Sequence, residues 1–221
     1  MKRKAISKKF INNSVLVSLV IILLGYFTLN TYKKTIDEEV YKNTKNELFT
    51  TYNEYIKSKK DIGITNAFSI SNDGLIKESL QNNKRELAIN SLKNINAILK
   101  NGTSFKNVKI HIHTNENKSF LRNWKENKYG DDLSSFRKSI VTVNNAKQPV
   151  NGYEVGKAGL SLRSVVPIIS NNQHLGSLEF IQGLNSVAKA FDKSDEGFYC
   201  LWILNIKFLN PNQIKFFRMI I

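Results

Sequence analysis

The sequence predicts an α+β protein in which a long N-terminal helix is followed by an antiparallel sheet flanked by helices. Three observations predict this class. An uncharged apolar stretch near the N-terminus leads into a run of helix formers, residues 84–100 place apolar side chains on one helical stripe, and several segments of residues 108–182 alternate with a period of two. An antiparallel sheet that buries one apolar face needs helices to cover that face.

The composition fits one folded domain with an anchor. The chain has 221 residues, of which 41% are hydrophobic and 23% charged, with a single cysteine that excludes an intrachain disulfide. The net charge of +15 raises nucleic acid as a partner, because clustered basic residues neutralise phosphates. The basic residues, however, form one group in residues 1–9 and are otherwise scattered lysines without interleaved aromatics. We therefore expect no binding of nucleic acid.

The first element is a predicted transmembrane helix over residues 11–32, preceded by a basic cytoplasmic segment over residues 1–10. No charged residue occurs between Phe10 and Tyr32, and at about 1.5 Å per residue this stretch approaches the roughly 30 Å thickness of a bilayer core. A cleaved signal peptide is the competing interpretation, but it would have a shorter apolar region and end in a small-residue cleavage site.

The flanking charges predict the orientation of this helix. Basic residues precede it, whereas Lys33 and Lys34 after it are followed at once by acidic residues 37–39. The positive-inside rule then places the N-terminus in the cytoplasm of a bacterium and the remainder in the periplasm, with a single pass through the inner membrane.

Two further helical regions precede the sheet. Residues 33–60 continue the first helix as a stalk, with apolar side chains close to the spacing of one helical face. A segment from Asn66 to Leu80 follows, and an amphipathic helix from Lys84 to Lys100 ends at Gly102, since glycine is a common helix stop.

The remaining elements are strands with one helix between them. In the first strand, Val108, Ile110 and Ile112 alternate with polar residues. Asn171 and Asn172 form a predicted hairpin turn between the last two strands. The other predicted elements are a strand Ser119–Trp124, a helix Asp132–Val143, strands Gly152–Gly156, Ala158–Ile169 and His174–Gln182, and a closing helix Asn185–Asp192.

His111 and His113 are the first residues considered for chemistry. They lie two apart on a strand, so both face the same side and could bind a metal with a third ligand from elsewhere. A solvated or ligand-facing polar side is the interpretation adopted, so we predict no metal and no cofactor. No catalytic motif or paired catalytic carboxylates occur, and Cys200 has no histidine partner, so we expect no enzyme.

The pair Arg122 and Trp124 predicts a binding site. Both side chains lie on one side of a strand and combine a guanidinium fork with an aromatic wall, which suits a small ligand with a carboxylate or an amine. The alternative is that Trp124 is a core aromatic and Arg122 pairs with a surface carboxylate. Arg137 lies on the helix that would cover the site. It too could either contact the ligand or have a purely structural role.

Several blocks of sequence in a fixed order support a family resemblance. They are Leu121–Trp124, Gly130–Leu133, Glu154–Gly156 with Gly159–Arg163, and Gly176–Phe180. From about Asp61 to Asp192 the chain resembles the double Cache sensory domains of methyl-accepting chemotaxis proteins and sensor histidine kinases. We therefore expect residues 61–192 to form a periplasmic Cache-like domain.

The resemblance implies a PAS-like sheet whose concave face holds a small organic ligand. By analogy, four residues would surround the ligand and two acids would orient it or bind its amine; these are Arg122, Trp124, Arg137 and Arg163, with Asp131 and Glu179. Asp131 could instead cap a helix, and Glu179 could simply pair with Arg163 across the hairpin.

Residues 193–221 depart from the family pattern. Their apolar runs are broken by Lys207, Pro211 and Arg218, which makes a membrane span unfavourable. We expect a truncated receptor with a nonnative, frameshifted tail from about Phe198; the opposing interpretation is a one-domain protein whose tail packs on the sheet edge.

The expected function is extracytoplasmic sensing of a small ligand, anionic or amino-acid-like, by a chemoreceptor or sensor-kinase segment that lacks output domains. Ligand binding would act by shifting the population of two arrangements of the sheet and stalk. The stalk would form a homodimer or pair with full-length receptors. The alternatives are a membrane-tethered decoy subunit that does not signal, and a dead receptor fragment.

Overall fold

The computed structural model describes residues 8–103, 108–156 and 159–187. The chain divides between Thr51 and Tyr52 into two compact units. The first unit contains most of helix α1, Lys8–Ser71. Most apolar side chains of its N-terminal part, such as Leu16, Ile22 and Leu24, are more than half exposed. By length and composition, this is the one helix among the described residues that could cross a membrane.

The last turns of α1 belong to the second unit and pack against the sheet. Asn151 and Gln182 donate side-chain hydrogen bonds to the carbonyls of Lys60 and Lys59, at 2.8 and 2.7 Å. The prediction that this helix ends near Lys60 was wrong. Gly63 lies inside the helix, where the missing side chain allows sheet side chains to approach closely.

The helix breaks at Asn72–Asp73. Asp73 begins the next helix, because its carboxylate accepts a hydrogen bond from the backbone N–H of Ile76 at 3.0 Å. The two helices that follow are α2, Gly74–Gln81, and α3, Arg85–Gly102. The predicted amphipathic helix that ends at Gly102 is confirmed.

Among the described residues, five strands form one antiparallel sheet in the order β2-β1-β5-β4-β3. The strands are β1, Lys109–Thr114; β2, Ser119–Arg122; β3, Val150–Gly156; β4, Gly159–Ser170; and β5, Gln173–Gln182. Asn171 and Asn172 have φ angles of 47° and 62° and form the predicted β4–β5 hairpin turn. The predicted α+β architecture is thus confirmed.

The two faces of the sheet differ in chemistry. One face carries buried apolar side chains, including Ile110, Ile112 and Leu178, which pack with α2, α3 and the end of α1. The opposite face carries His111 and Glu179 and is covered by residues 123–137 and helix α4, Lys138–Ala146. This polar face is the central feature of the domain.

The covering segment differs from its prediction. Residues 132–137 are not helical: Asp132 forms a β-bridge with Lys118 and residues 134–136 form a turn. The Asp132 carboxylate accepts hydrogen bonds from the N–H and O–H of Ser134, at 2.9 and 2.7 Å, which favours this turn over a helix. The helix therefore begins at Lys138. The predicted closing helix is described only at residues 185–187, which are helical, and the predicted tail 193–221 lies outside the described residues.

Candidate functional site

The polar face is organised around Glu179 in the central strand β5. Strand register places His111 of β1 directly beside Glu179, and alternation places His113 on the same face. All three side chains are buried, with Glu179 and His113 at 0% exposure and His111 at 2%. The interpretation of a solvated histidine face was therefore wrong.

Two arginines hold one oxygen of Glu179. Arg163, from the neighbouring strand β4, donates through Nη1 to Glu179 Oε1 at 2.7 Å. Arg137, which precedes α4, donates through Nη2 to the same oxygen. Both guanidinium groups are almost fully buried. The predicted alternative, pairing of Glu179 with Arg163, is present and is extended by Arg137.

Glu154 of β3 supplies a second negative charge. Its Oε2 accepts a hydrogen bond from Arg137 Nε at 2.9 Å and from the hydroxyl of Ser139 at 2.7 Å, and its Oε1 accepts from the backbone N–H of Ser139 at 3.1 Å. The four charges of Arg137, Arg163, Glu154 and Glu179 balance, which is the condition for burying them together.

The cluster keeps Glu179 ionised. Burial would raise the pKa of the Glu179 carboxyl, but His111 and the two guanidinium groups outweigh it and hold this pKa well below its usual range. Burial lowers the pKa of His111, and burial with the neighbouring His111 lowers that of His113 well below its usual value. At neutral pH the carboxylate is charged and the imidazoles are neutral.

Each histidine is held by a serine hydroxyl, which contacts the outer ring nitrogen, the one that points away from Glu179. His111 Nε2 lies 2.8 Å from Ser119 Oγ, and His113 Nδ1 lies 3.0 Å from Ser177 Oγ. Their other nitrogens face Glu179 Oε2, at 3.6 and 3.8 Å, which is too long for hydrogen bonds. The ring centroids of the two histidines are 4.1 Å apart, edge to face.

Arg122 and Asp131 form a separate ion pair beside His111. The guanidinium donates from both terminal nitrogens to the two carboxylate oxygens, each at 2.8 Å, a bidentate geometry that fixes both side chains. The hydrogen bond from Arg122 lowers the pKa of Asp131. The alternative role of Asp131 as a helix cap was wrong, since α4 begins at Lys138 and Asp131 binds Arg122 instead.

Trp124 lies at the rim of the polar face. The residue is 42% exposed, so the alternative of a core aromatic was wrong. The indole contacts His111 edge to face with centroids 5.8 Å apart. Trp124 therefore supplies a partly exposed aromatic surface next to buried polar groups.

The structure thus brings three of the predicted site residues, Arg137, Arg163 and Glu179, into one buried cluster. Arg122 and Asp131 form their own pair beside it, with Trp124 at the rim. Sequence reasoning noted His111 and His113 but did not connect them to Glu179, and it did not single out Glu154. Alternation along β3 was the available signal for Glu154, but only the register across the strands places it beside Arg163.

Comparisons with known proteins agree with this architecture. Residues 41–195 match the model of the family dCache_3, described as the double sensory domain of two-component sensor kinase. The search of curated proteins found no match.

Among solved structures, the sensor domain of the Vibrio cholerae histidine kinase DctB matches with a TM-score of 0.54 and 12% identity, over 66% of this chain and 57% of that one. The ligand-binding domain of the Campylobacter jejuni chemoreceptor Tlp3, in complex with L-valine, matches with a TM-score of 0.49 and 14% identity, over 71% and 65%. The Escherichia coli DcuS sensor domain matches at 0.44 and 14%, over 60% and 97%. The DctB match shows a shared fold, and this chain spans 57% of the length of that sensor domain.

Proposed function

The chain belongs to the dCache_3 family of double sensory domains, and from this premise we propose that it senses a small extracytoplasmic ligand for a chemoreceptor or sensor kinase. The observation that carries the proposal is the buried charged cluster on the polar face of the sheet, within the residues that match the family. The proposal assigns the chain no catalytic reaction.

Two features of the polar face support a small-ligand site there. Such sites combine a few convergent polar groups with an apolar or aromatic wall. Here Arg137, Arg163 and Glu179 converge below α4, and Trp124 stands at the rim with its ring partly exposed. The ligand is placed between this rim and the cluster, with Arg122 and Asp131 at its side.

The charges of the face favour a ligand that carries both a carboxylate and an amine, or a small carboxylate alone. A guanidinium group offers five N–H donors in a fixed fork. Arg137 uses two of its nitrogens in the contacts described above, and Arg163 uses Nη1 for Glu179 and Nε for the carbonyl of Glu154, at 3.4 Å. Glu179 Oε2 makes no hydrogen bond among the described residues and could accept one from an ammonium group, whereas both oxygens of Asp131 already accept from Arg122. An amino-acid-like ligand would match both signs.

The apolar part of α1 completes the proposal as a single membrane anchor. The helix is long and apolar enough to span a bilayer, and the flanking charges favour a cytoplasmic N-terminus with the sensor domain in the periplasm. Ligand binding would then bias the arrangement of the domain and of the helix that leads to the membrane, with two copies paired through residues 33–60.

A thermal-shift screen of the full chain in detergent micelles tests the proposal. Amino acids, small carboxylates and purines are added singly. A ligand at about thirty times its dissociation constant is expected to stabilise the folded domain by about 2 kcal/mol. Trp124→Ala should abolish the shift, because it removes the aromatic wall without emptying a core position.

Tyr129→Ala is the matched control. Tyr129 lies in the same covering segment, is exposed like Trp124, and stacks on Arg85 instead of facing His111. The control should keep the ligand-dependent shift. A folded chain that responds to none of the compounds would count against the sensing role and favour a tethered decoy subunit, which would co-purify with a full-length receptor whether or not ligand is present.

A further inference from the structure

We propose that His111, His113 and Glu179 form a binding site for one divalent transition-metal ion, of which Zn²⁺ is the best match. The three ligand atoms would be His111 Nδ1, His113 Nε2 and Glu179 Oε2, which all lie within 4.8 Å of one another. The metal site does not require that an organic ligand binds, so it adds to the sensing role without depending on it.

The geometry is close to that of a zinc site. Glu179 Oε2 lies 3.6 Å from His111 Nδ1 and 3.8 Å from His113 Nε2. Zinc bonds of about 2.0–2.1 Å in a tetrahedron place neighbouring ligand atoms roughly 3.3 Å apart. The two distances to Glu179 therefore need to shorten by only a few tenths of an ångström. Both histidines are already on one strand face, and the third distance, between His111 Nδ1 and His113 Nε2, is within 4.8 Å and has to shorten more than the other two when a metal binds.

Two of the three ligand atoms lack other partners. Among the residues that the structure describes, Glu179 Oε2 and His113 Nε2 are buried and make no hydrogen bond. An unpaired buried polar atom costs about 1–3 kcal/mol, so two of them facing each other need an explanation. A cation between them would satisfy both at once.

The other atoms of the same side chains are held as metal ligands usually are. Ser119 and Ser177 bind the outer nitrogens of the two histidines, at 2.8 and 3.0 Å. The second oxygen of Glu179 is fixed by the two arginines. Hydrogen bonds of this kind orient the ligating atoms and set the histidine tautomers. If the ring nitrogens that face the serines carry the protons, the lone pairs of His111 Nδ1, His113 Nε2 and Glu179 Oε2 converge on one point.

The chemistry of the donor set selects the metal. Two imidazoles and one carboxylate suit zinc and related transition metals, whereas Mg²⁺ and Ca²⁺ prefer oxygen ligands throughout. The nearby Arg137 and Arg163 oppose a cation, but Glu154 and Glu179 already balance their charges. Because Glu179 is itself one of the ligands, this balance already includes it, and a bound divalent ion adds two positive charges to the cluster. Its fourth position is left for water or another small ligand, and an anion there would offset part of that charge.

The test uses Co²⁺ as a spectroscopic probe for Zn²⁺ with the untagged full chain in detergent micelles. We expect one Co²⁺ per chain, with the strong visible bands of tetrahedral cobalt, displaced by Zn²⁺. His113→Gln should abolish the bands, and Ser177→Ala should weaken Co²⁺ affinity by about 10–100-fold. His174→Gln is the control, because His174 lies at the start of β5 and contacts Asn144.

Because His113→Gln could also disturb folding, His113→Cys provides a gain of signal. A thiolate in the site adds a sulfur-to-cobalt charge-transfer band in the near ultraviolet, absent from the parent chain. Appearance of this band supports the site. The proposal is overturned if the parent chain shows no saturable tetrahedral cobalt spectrum, or if that spectrum survives unchanged in both His113 variants.

Discussion

Replacing Glu179 by Gln tests whether the buried cluster is held by balanced charge. The change keeps the size and the accepting Oε1 of the side chain but removes its negative charge. Arg137 and Arg163, with side-chain exposures of 5% and 7%, would then share Glu154 as their only acidic partner in the cluster. Removing one partner from a buried ion pair costs about 3–5 kcal/mol, because a charge is left uncompensated.

Urea unfolding of the full chain in detergent, followed by circular dichroism, measures the effect. With a slope of about 2 kcal/mol per molar urea, the midpoint of the variant should fall by roughly 2 M. Glu116→Gln is the control, because Glu116 pairs with Lys118 on the exposed surface and should leave the midpoint unchanged. A loss below about 1 kcal/mol for Glu179→Gln would refute the view that the cluster depends on this charge.

Three further changes probe the rest of the domain. The lowered pKa of Asp131 means that its pair with Arg122 stabilises the fold above about pH 4 and is lost as the pH falls through the folded-state pKa. Asp131→Asn should therefore flatten the stability profile below about pH 4, and an unchanged profile would contradict this. Gly63→Ala should lower the free energy of unfolding, measured by urea denaturation, by about 1–3 kcal/mol, because the added Cβ would meet side chains of β4 and β5. Gly74→Ala is the control: its Cβ would meet no other atom, and it should leave the free energy unchanged. Leu92→Ala should cost about 2–5 kcal/mol, since Leu92 is buried in the core; a smaller loss would show a loosely packed core.

The repetitive patterns of the sequence predicted most of the fold. Alternation marked the strands, the apolar stripe of residues 84–100 marked α3, and the pair Asn171 and Asn172 marked the hairpin. These signals are local, because each depends on spacing within one segment. The end of α1 was misplaced near Lys60, because contacts with the distant β4 and β5 hold the helix beyond that point.

The site could be predicted only in part. Arg137, Arg163 and Glu179 were expected around a ligand, and they do meet on one face, but their mutual ion pairs depend on the order of strands that are far apart in sequence. The third partner of His111 and His113 was missed for the same reason, because the β1–β5 register that brings Glu179 beside them joins residues more than sixty positions apart.

Hydrogen exchange measured by mass spectrometry tests most directly whether the polar face is where a ligand binds. The full chain in detergent is compared with and without whichever compound raises its thermal stability. The account predicts slower exchange in β1, β5 and residues 123–146, which form and cover the polar face. Protection confined to α2 and α3 on the opposite face, with none on the polar face, would contradict it.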